Sequence, residues 1–304
     1  MKPKLSYKEE KRERKGIYAS DYGKLNIDIL LSLKGVEASN PPEWNDTLKW
    51  SAGKAIELQF VKILKENNIV DNDFSQDEQE TTEIIRNGVP IRMNFDARVK
   101  TGGAKMIFDD SILPQSFELE LKEGEPIEIK SINNKNSYDI QKFIDNKPRE
   151  NYVGQLSIYL DALNQERGHL FVSSIDGLNY FWFECKKIGE KIYKCGDTIV
   201  DLNKEYERFA DLWNRRNEEP QDKDWNEEIY KIPIENIDWT KLSVSKIGDI
   251  RNGRYVVGSE NKFKIDYSDY KDLILEKQGV KAGYTEEEIA IIKEKTAGFS
   301  SKKK

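Results

Sequence analysis

Two predicted strands carry charged side chains whose types and spacing suit metal-assisted hydrolysis. Asp96 lies on the first strand, and Glu128 and Lys130 lie on the second, two residues apart. Because side chains alternate across a strand, Glu128 and Lys130 must share one face. Carboxylate oxygens suit Mg²⁺, and a lysine can orient or deprotonate a water and stabilise charge on a phosphate. This combination indicates cleavage of phosphodiester bonds.

The strand around Asp96 is predicted to span residues 89–99. Its polar side chains, Asp96 among them, are expected to point away from the core, as are Glu128 and Lys130 on the second strand. The opposite row is apolar and is expected to enter the core; it consists of Val89, Ile91, Met93, Phe95, Ala97 and Val99. If the two strands are neighbours in one sheet, Asp96 and Glu128 can converge on one cation.

A second Glu-x-Lys sequence competes with Glu128 and Lys130. Glu120 and Lys122 have the same spacing, and an isolated pair of this kind is most often a solvated row on a half-exposed strand. Glycines flank the stretch around Glu120, which predicts an inserted hairpin between the two core strands. The strand at 126–131 instead leads into a helix with polar side chains, so Glu128 and Lys130 are the preferred pair.

Two predicted helices add polar groups to this set. In the helix predicted over 149–164, Gln155 and Tyr159 lie four residues apart beside an apolar stripe, and Tyr152 joins them. An earlier helix, predicted over 47–67, carries Glu57 beside its apolar face. Taken singly, each of these side chains is more simply explained as a solvated or boundary residue.

The order of these motifs resembles the PD-(D/E)XK nuclease superfamily. The chain is similar in particular to the RecB and Cas4-like exonucleases, whose helix bears a Gln-x-x-x-Tyr signature. The resemblance covers about residues 15–215 and rests on the order of the motifs rather than on any one of them. The motifs are Gly53-x-x-x-Glu57, Asp96, Glu128-x-Lys130 and Gln155-x-x-x-Tyr159.

The resemblance implies an α/β fold with a restriction-endonuclease-like αβββαβ core, in which helices flank a mixed central sheet. We expect a nuclease domain over residues 1–217, including an N-terminal helical lead-in. A polar, proline-containing stretch then predicts a boundary. A small C-terminal appendage of unassigned role is expected over 218–297, followed by a disordered basic tail over 298–304.

The same resemblance implies a role for each site residue. Mg²⁺ or Mn²⁺ would be bound by Glu57, Asp96, Glu128 and the main-chain carbonyl of Ile129. Lys130 would position the attacking water and, with Asp96 and Glu128, form the catalytic group. The metal site or the DNA would be contacted by Gln155, Tyr159, Tyr152 and Arg149.

Some positions depart from the family pattern. Many RecB-like proteins have histidine where Glu57 stands, although glutamate occurs in other members, and Asn94 stands where a glycine is often found. Cas4-like proteins bind an iron–sulfur cluster through four cysteines. Because this chain has two cysteines, Cys185 and Cys195, we expect no iron–sulfur cluster.

Composition restricts the function less than the motifs do. With 304 residues, 34% charged side chains and two cysteines, the chain is predicted to be a soluble cytoplasmic protein without a transmembrane helix. Its only histidine, His169, begins a predicted strand and is interpreted as structural. A net charge of −6 argues against tight, metal-free binding to DNA but leaves nuclease activity open.

The sequence therefore predicts a Mg²⁺-dependent deoxyribonuclease, and more specifically an exonuclease acting on DNA with a free end or a single strand. The resemblance implies a role in phage or bacterial DNA recombination, replication or repair. Two alternatives stay open: an endonuclease specific for sequence or structure, and an inactive DNA-binding module of the same fold. A homo-oligomer and a recombination or replication partner also stay open.

Overall fold

The computed structural model describes residues 14–39, 44–71, 81–108, 117–132, 137–175, 179–225, 234–241, 247, 268–279 and 285–297. The chain divides into two compact units. The first unit is Met1–Gly23 with Pro42–Asn214, and the second is Lys24–Pro41 with Arg215–Lys304. The tail at 298–304, expected to be disordered, lies outside the described residues.

The first unit contains both strands and helices. Its strands are β1 (Ile17–Tyr18), β2 (Thr81–Arg86), β3 (Val89–Asn94), β4 (Ala97–Arg98), β5 (Ala104–Phe108), β6 (Phe117–Leu121), β7 (Pro126–Ile132), β8 (Arg167–Ser174), β9 (Tyr180–Gly189), β10 (Ile192–Cys195) and β11 (Thr198–Asp201). Its α-helices are α2 (Trp44–Glu66), α3 (Ser137–Ile144), α4 (Glu150–Leu163) and α5 (Leu202–Asn214), and a 3₁₀ turn spans Ala19–Asp21.

The strands form a mixed six-stranded sheet and two smaller sheets. The largest sheet has the order β11-β10-β9-β8-β7-β4, with β7 and β8 parallel and the other pairs antiparallel. A three-stranded sheet has the order β1-β3-β2, and β5 pairs with β6. Helices flank these mixed sheets, which confirms the predicted α/β class.

The single strand predicted over 89–99 is wrong, because the chain breaks it into two. β3 ends at Asn94 and pairs with β1 and β2, whereas β4 begins at Ala97 and pairs with β7. Between them, the Phe95 ring packs edge-on against Tyr159 with ring centroids 4.9 Å apart. Asp96 therefore lies in the short segment that connects two sheets, and its backbone belongs to neither strand.

The predicted inserted hairpin is present as β5 and β6. These strands are antiparallel, and Lys105 is opposite Glu120 in their register. Glu120 is exposed, while its neighbour Leu119 packs against the core. The competing Glu-x-Lys sequence therefore lies in a different sheet from Glu128 and Lys130.

Helix α2 packs on one face of β7 and β8. Val61 and Leu64 from the helix join Ile127 and Ile129 from β7 in one buried cluster. Phe171 of β8 belongs to the same cluster. Because Ile127 and Ile129 point toward α2, the intervening Glu128 points to the opposite face. That face is covered by α4, which also contacts β7 and β8.

Helix α4 approaches the 3₁₀ turn closely at Gly154. A Cβ atom placed on Gly154 would overlap the ring of Tyr22. The hydroxyl of Tyr22 in turn donates a hydrogen bond of 3.1 Å to Glu150. Only a residue without a side chain allows this contact, so the glycine fixes how the amino-terminal segment packs on α4.

We expect Gly154→Ala to lower the free energy of unfolding by about 1–3 kcal/mol, because overpacking a buried contact forces atoms apart. This loss should exceed the gain of up to about 1 kcal/mol that alanine brings to a helix interior. Urea denaturation followed by circular dichroism measures the change. Asn151→Ala, at an exposed position of the same helix, is the control. A stabilised Gly154→Ala variant would contradict this packing.

The second unit is built on short helices, and its helices are α1 (Asn26–Leu33), α6 (Asp222–Trp225), α7 (Lys271–Gly279) and α8 (Glu286–Lys295). Its buried residues Leu25, Ile27 and Leu31 pack against Tyr270 and Ile274. The segment 24–41 therefore groups with the C-terminal residues, whereas the sequence placed it in the first domain. Among the residues that the structure describes, no helix is long and apolar enough to cross a membrane.

Candidate active site

Asp96 and Glu128 come together where β4 meets β7. The Oδ2 atom of Asp96 accepts a hydrogen bond of 2.8 Å from the backbone N–H of Ile129. Ile129 directly follows Glu128 on β7, so this bond ties Asp96 to the strand that carries the second carboxylate. The structure thus brings the two predicted metal ligands onto one site.

Both acids are far more buried than the sequence predicted. Glu128 has no exposed surface, and Asp96 is 9% exposed. Their row was expected to point away from the core, and this expectation is wrong because α4 covers that face of the sheet. A central strand with neighbours and helices on both faces leaves no surface for a polar row.

Lys130 lies beside these acids and forms an ion pair with Glu128. Its side chain is 24% exposed, and its Nζ atom lies 5.9 Å from the centroid of the Tyr152 ring. Burial acts to lower the pKa of Lys130, but the charges of Glu128 and Asp96 outweigh burial and raise it. The ammonium group therefore stays charged at neutral pH, which suits a donor better than a general base.

Glu57 reaches the same acids from α2. Its carboxylate accepts a hydrogen bond of 2.6 Å from Lys54, one turn earlier in the helix. Burial and the negative charge of Asp96 raise the pKa of Glu57. Lys54 is not among the residues predicted from the sequence, although its spacing of three residues from Glu57 is the signal for such a pair.

The electrostatics of the acids indicate a site for a cation. Burial and the charge of Glu128 raise the pKa of Asp96 to about 7. Burial also raises the pKa of Glu128, and the charge of Glu57 adds to this despite the opposing effect of Lys130. Mutual repulsion of this kind is what a bound divalent cation relieves.

The buried carboxylate of Glu128 gives a second indication. Within the part of the chain that the structure describes, neither oxygen of Glu128 accepts a well-aligned hydrogen bond, and Lys130, Asp96 and Tyr159 of the site are close to it. Burying a charged group without hydrogen bonds is costly, and such groups are usually paired or coordinate a metal. The residues present therefore fit a hard divalent ion with oxygen ligands.

As they stand in this structure, the side chains predicted to bind the metal are not close enough together to coordinate one ion. Within the described ranges, no three His, Cys, Asp or Glu side chains are arranged closely enough to hold a metal ion as they stand. Two of the predicted ligands are instead paired with lysines, Glu57 with Lys54 and Glu128 with Lys130. Metal binding would exchange at least one of these ion pairs for coordination. The backbone N–H of Ile129 contacts Asp96 in the site. Coordination of a metal by the carbonyl of Ile129 stays a prediction.

Gln155 and Tyr159 form a hydrogen-bonded pair beside the acids. The Gln155 side chain donates to the Tyr159 hydroxyl at 2.6 Å, and this hydroxyl donates to the carbonyl of Asn94 at 2.8 Å. Tyr159 is 1% exposed. Burial, followed by the charges of Glu128 and Asp96, raises the pKa of its hydroxyl. Tyr159 thus lies next to the carboxylates and holds the end of β3, two residues before Asp96.

Tyr152 and Arg149 continue the site toward solvent. Arg149 is the N-cap residue of α4, and its guanidinium donates to the Tyr152 hydroxyl at 3.2 Å. The guanidinium carbon lies 5.4 Å from the Tyr152 ring centroid. With Lys130 on the same ring, two cations flank one aromatic side chain. This arrangement places positive charge beside the acids, where an anionic substrate would need it.

His169 takes part in a separate, structural network. It is fully buried, its Nε2 lies 3.0 Å from Glu125, and Trp182 donates to its Nδ1 at 3.3 Å. Arg167 also donates to Glu125, at 2.6 Å. These contacts support the structural interpretation of His169, because its ring is used in packing and pairing.

Comparison with known proteins gives only distant likenesses. No family model matches the chain, and no curated protein matches it. The solved structure of the protein SSO0001 shares 16% identity over 68% of this chain and 77% of that chain, with a TM-score of 0.37. An alkaline exonuclease from Laribacter hongkongensis shares 13% identity over 66% of this chain and 88% of that chain, with a TM-score of 0.36. Since both likenesses are weak, the function is argued from the residues of the site.

Proposed function

We propose that this chain is a metal-dependent DNA nuclease that hydrolyses phosphodiester bonds. The observation that supports this most directly is the fully buried Glu128 carboxylate, which lies among Asp96, Lys130 and Tyr159 and, among the described residues, has no well-aligned hydrogen-bond donor. A protein that needed these residues only for stability would gain from an apolar replacement of the buried charges. The presence of these buried charges together is better explained by a catalytic role than by stability.

The metal ligands in this proposal are Glu57, Asp96, Glu128 and the main-chain carbonyl of Ile129. Mg²⁺ or Mn²⁺ bound there would polarise a phosphoryl oxygen and lower the pKa of a water. The hydrogen bond from Ile129 fixes the orientation of the Asp96 carboxylate beside Glu128. The acids therefore supply both the charge and the oxygen ligands that a hard cation requires.

The other residues act on the substrate in this proposal. Lys130, held charged by its acidic neighbours, donates to the attacking water or to the phosphate as negative charge develops. Arg149 and Tyr152 contact the phosphate backbone at the outer side of the site. Gln155 and Tyr159 position the site, since their hydrogen-bonded pair reaches the strand end before Asp96.

The substrate in this proposal is DNA with a free end or a single strand, and the activity is that of an exonuclease in recombination, replication or repair. An end-labelled linear DNA and a closed circular DNA, each single- and double-stranded, would be incubated with Mg²⁺, Mn²⁺ or EDTA. Metal-dependent loss of linear DNA alone supports the exonuclease. Cleavage of closed circular DNA would show that the protein is an endonuclease. Binding without cleavage would identify an inactive DNA-binding module.

Lys130→Met is expected to lower the cleavage rate by about 100- to 1,000-fold, the loss seen when one donor to a developing charge is removed. The unbranched methionine keeps most of the lysine stem, so packing should change little. Initial rates on labelled DNA measure the effect, with Lys122→Met as the matched control from the exposed hairpin. A Lys130→Met enzyme that is as fast as the wild type would remove Lys130 from the mechanism.

A further inference from the structure

Helix α2 carries an exposed tryptophan in line with Glu57. Trp50 precedes Glu57 by seven residues, which is about two helical turns, or about 10 Å along the axis. Seven residues of an α-helix also return nearly to the same side, so Trp50 and Glu57 share one face. Trp50 is 59% exposed. A tryptophan is highly buried on average, so this exposure leaves a large aromatic surface open to a ligand.

The packing of α2 on β7 places Trp50 at the edge of the candidate active site. Midway between Trp50 and Glu57, a Cβ atom on Gly53 would lie 2.5 Å from the hydroxyl of Ser131, so helix and strand meet there. From Gly53 toward Glu57, the helix runs back along β7 to the acids around Glu128. In the opposite direction, toward its N-terminus, helix α2 runs past Ser131 to Trp50. Trp50 therefore lies beyond the part of the site that contains the acids.

Charge beside the ring fits a nucleic acid. Lys54 lies one helical turn from Trp50 and is itself paired with Glu57 of the site. Aromatic side chains combined with cations along a groove are the usual means of binding single strands, since bases stack on the ring and cations attract the backbone. One strand of stacked DNA rises about 3.4 Å per nucleotide, so about 10 Å corresponds to roughly three nucleotides.

We propose that Trp50 is a stacking platform for an unpaired base of the DNA substrate, about three nucleotides from the phosphate held at the acids. This inference rests on the proposed nuclease function and makes single-stranded DNA, or a single-stranded end, the preferred substrate. In the interior of a duplex, each base is covered on both faces by its neighbours and is not open to a side chain. A platform at this position therefore favours a separated strand.

Equilibrium binding of dye-labelled DNA by the full-length protein tests the platform without hydrolysis, in EDTA and at low ionic strength, where weak metal-free binding is strengthened. Trp50→Ala is expected to weaken binding of a single-stranded oligonucleotide by about 10-fold, within the range found for base–aromatic stacking. Trp50→Phe should retain most of the affinity, and binding of a covalently closed circular duplex, which has no terminal base pair, should not change. Ile199→Ala, with a side chain 57% exposed on the distant edge strand β11, is the control and should bind like the wild type.

A series of oligonucleotides with one abasic position each locates the contact. At the position that stacks on Trp50, loss of the base should weaken wild-type binding and remove the difference between the wild type and Trp50→Ala. Elsewhere in the strand, the difference should persist. An effect of Trp50→Ala that is equal on single strands and duplexes, or that no abasic position removes, would overturn the stacking inference.

Cleavage by the same proteins in Mg²⁺ separates this inference from the proposed function. If the wild type cleaves DNA and Trp50→Ala binds and cleaves single strands equally well, the platform is overturned and the nuclease stands. If the wild type neither binds nor cleaves any DNA, the proposed function and the platform fail together. Reduced cleavage of single strands by Trp50→Ala, restored in Trp50→Phe, supports both.

Discussion

Glu128→Gln is expected to reduce DNA cleavage by more than about 100-fold. Changing an outer partner of a metal ligand already costs up to about that factor, and Glu128 is proposed to be a ligand itself. Glutamine keeps the shape of the side chain, so the substitution leaves no cavity beneath α4. It removes the negative charge that a cation would neutralise and that pairs with Lys130. Initial cleavage rates in Mg²⁺ measure the loss.

The competing motif provides the matched control for this experiment. Glu120→Gln makes the same chemical change on the exposed face of β6, and its rate should equal that of the wild type. Metal binding gives a readout independent of catalysis, because a cation that binds only the folded state raises its melting temperature. Mg²⁺ should stabilise Glu120→Gln and not Glu128→Gln. An inactive Glu120→Gln beside an active Glu128→Gln would refute the assignment of the site.

The sequence predicted the order of elements well because each element has a local signal. The alternation in β7 correctly placed Glu128 and Lys130 on one face, and the glycines around Glu120 correctly predicted the inserted hairpin. Strand alternation, however, states which side chains share a face and not what covers that face. The full burial of Glu128 follows from α4, which lies more than twenty residues further along the chain.

The break in the strand at Asp96 could not be predicted from the sequence for a similar reason. Residues 89–99 alternate as one strand would, yet β3 and β4 belong to different sheets. The division depends on pairing with β1 on one side and β7 on the other, and such long-range pairings leave no local trace. The break also has a functional consequence, because it turns the Asp96 carboxylate toward the N–H of Ile129.

Tyr159 shows how helical spacing can identify a residue without giving its role. The four-residue interval from Gln155 correctly predicted that the two side chains meet. It did not indicate that Tyr159 would be buried, with its hydroxyl on the Asn94 carbonyl and beside Glu128 and Asp96. Tyr159 holds the end of β3 near the acids, and in the proposed function contact with DNA is assigned to the more exposed Tyr152 and Arg149.

The stability of the metal-free protein is expected to fall as the pH rises through the range in which Asp96 ionises in the folded state. The pKa of Asp96 is raised from 3.8 to about 7, so between these values the folded state binds a proton that the unfolded state has lost. The contribution of Asp96 to stability is therefore greatest below its unfolded pKa and is lost as the pH rises through its folded pKa. The loss is on the order of a few kcal/mol. Glu57 and Glu128, whose pKa values are also raised, act in the same direction.

Asp96→Asn should make the free energy of unfolding depend less steeply on pH, because asparagine has no proton to lose. Urea denaturation in EDTA at intervals from pH 5 to pH 8 measures both slopes. In this range Glu125, whose pKa is lowered by hydrogen bonds from His169 and Arg167 that outweigh its burial, contributes little, since it is ionised in both states. Mg²⁺ should restore the stability of the wild type at pH 8, where the repulsion between the acids is largest, and should restore that of Asp96→Asn much less. Equal slopes in the two proteins would show that Asp96 is not the group that titrates. Equal stabilisation by Mg²⁺ would place the cation elsewhere, so one set of curves tests both the electrostatics of the site and its proposed ligand.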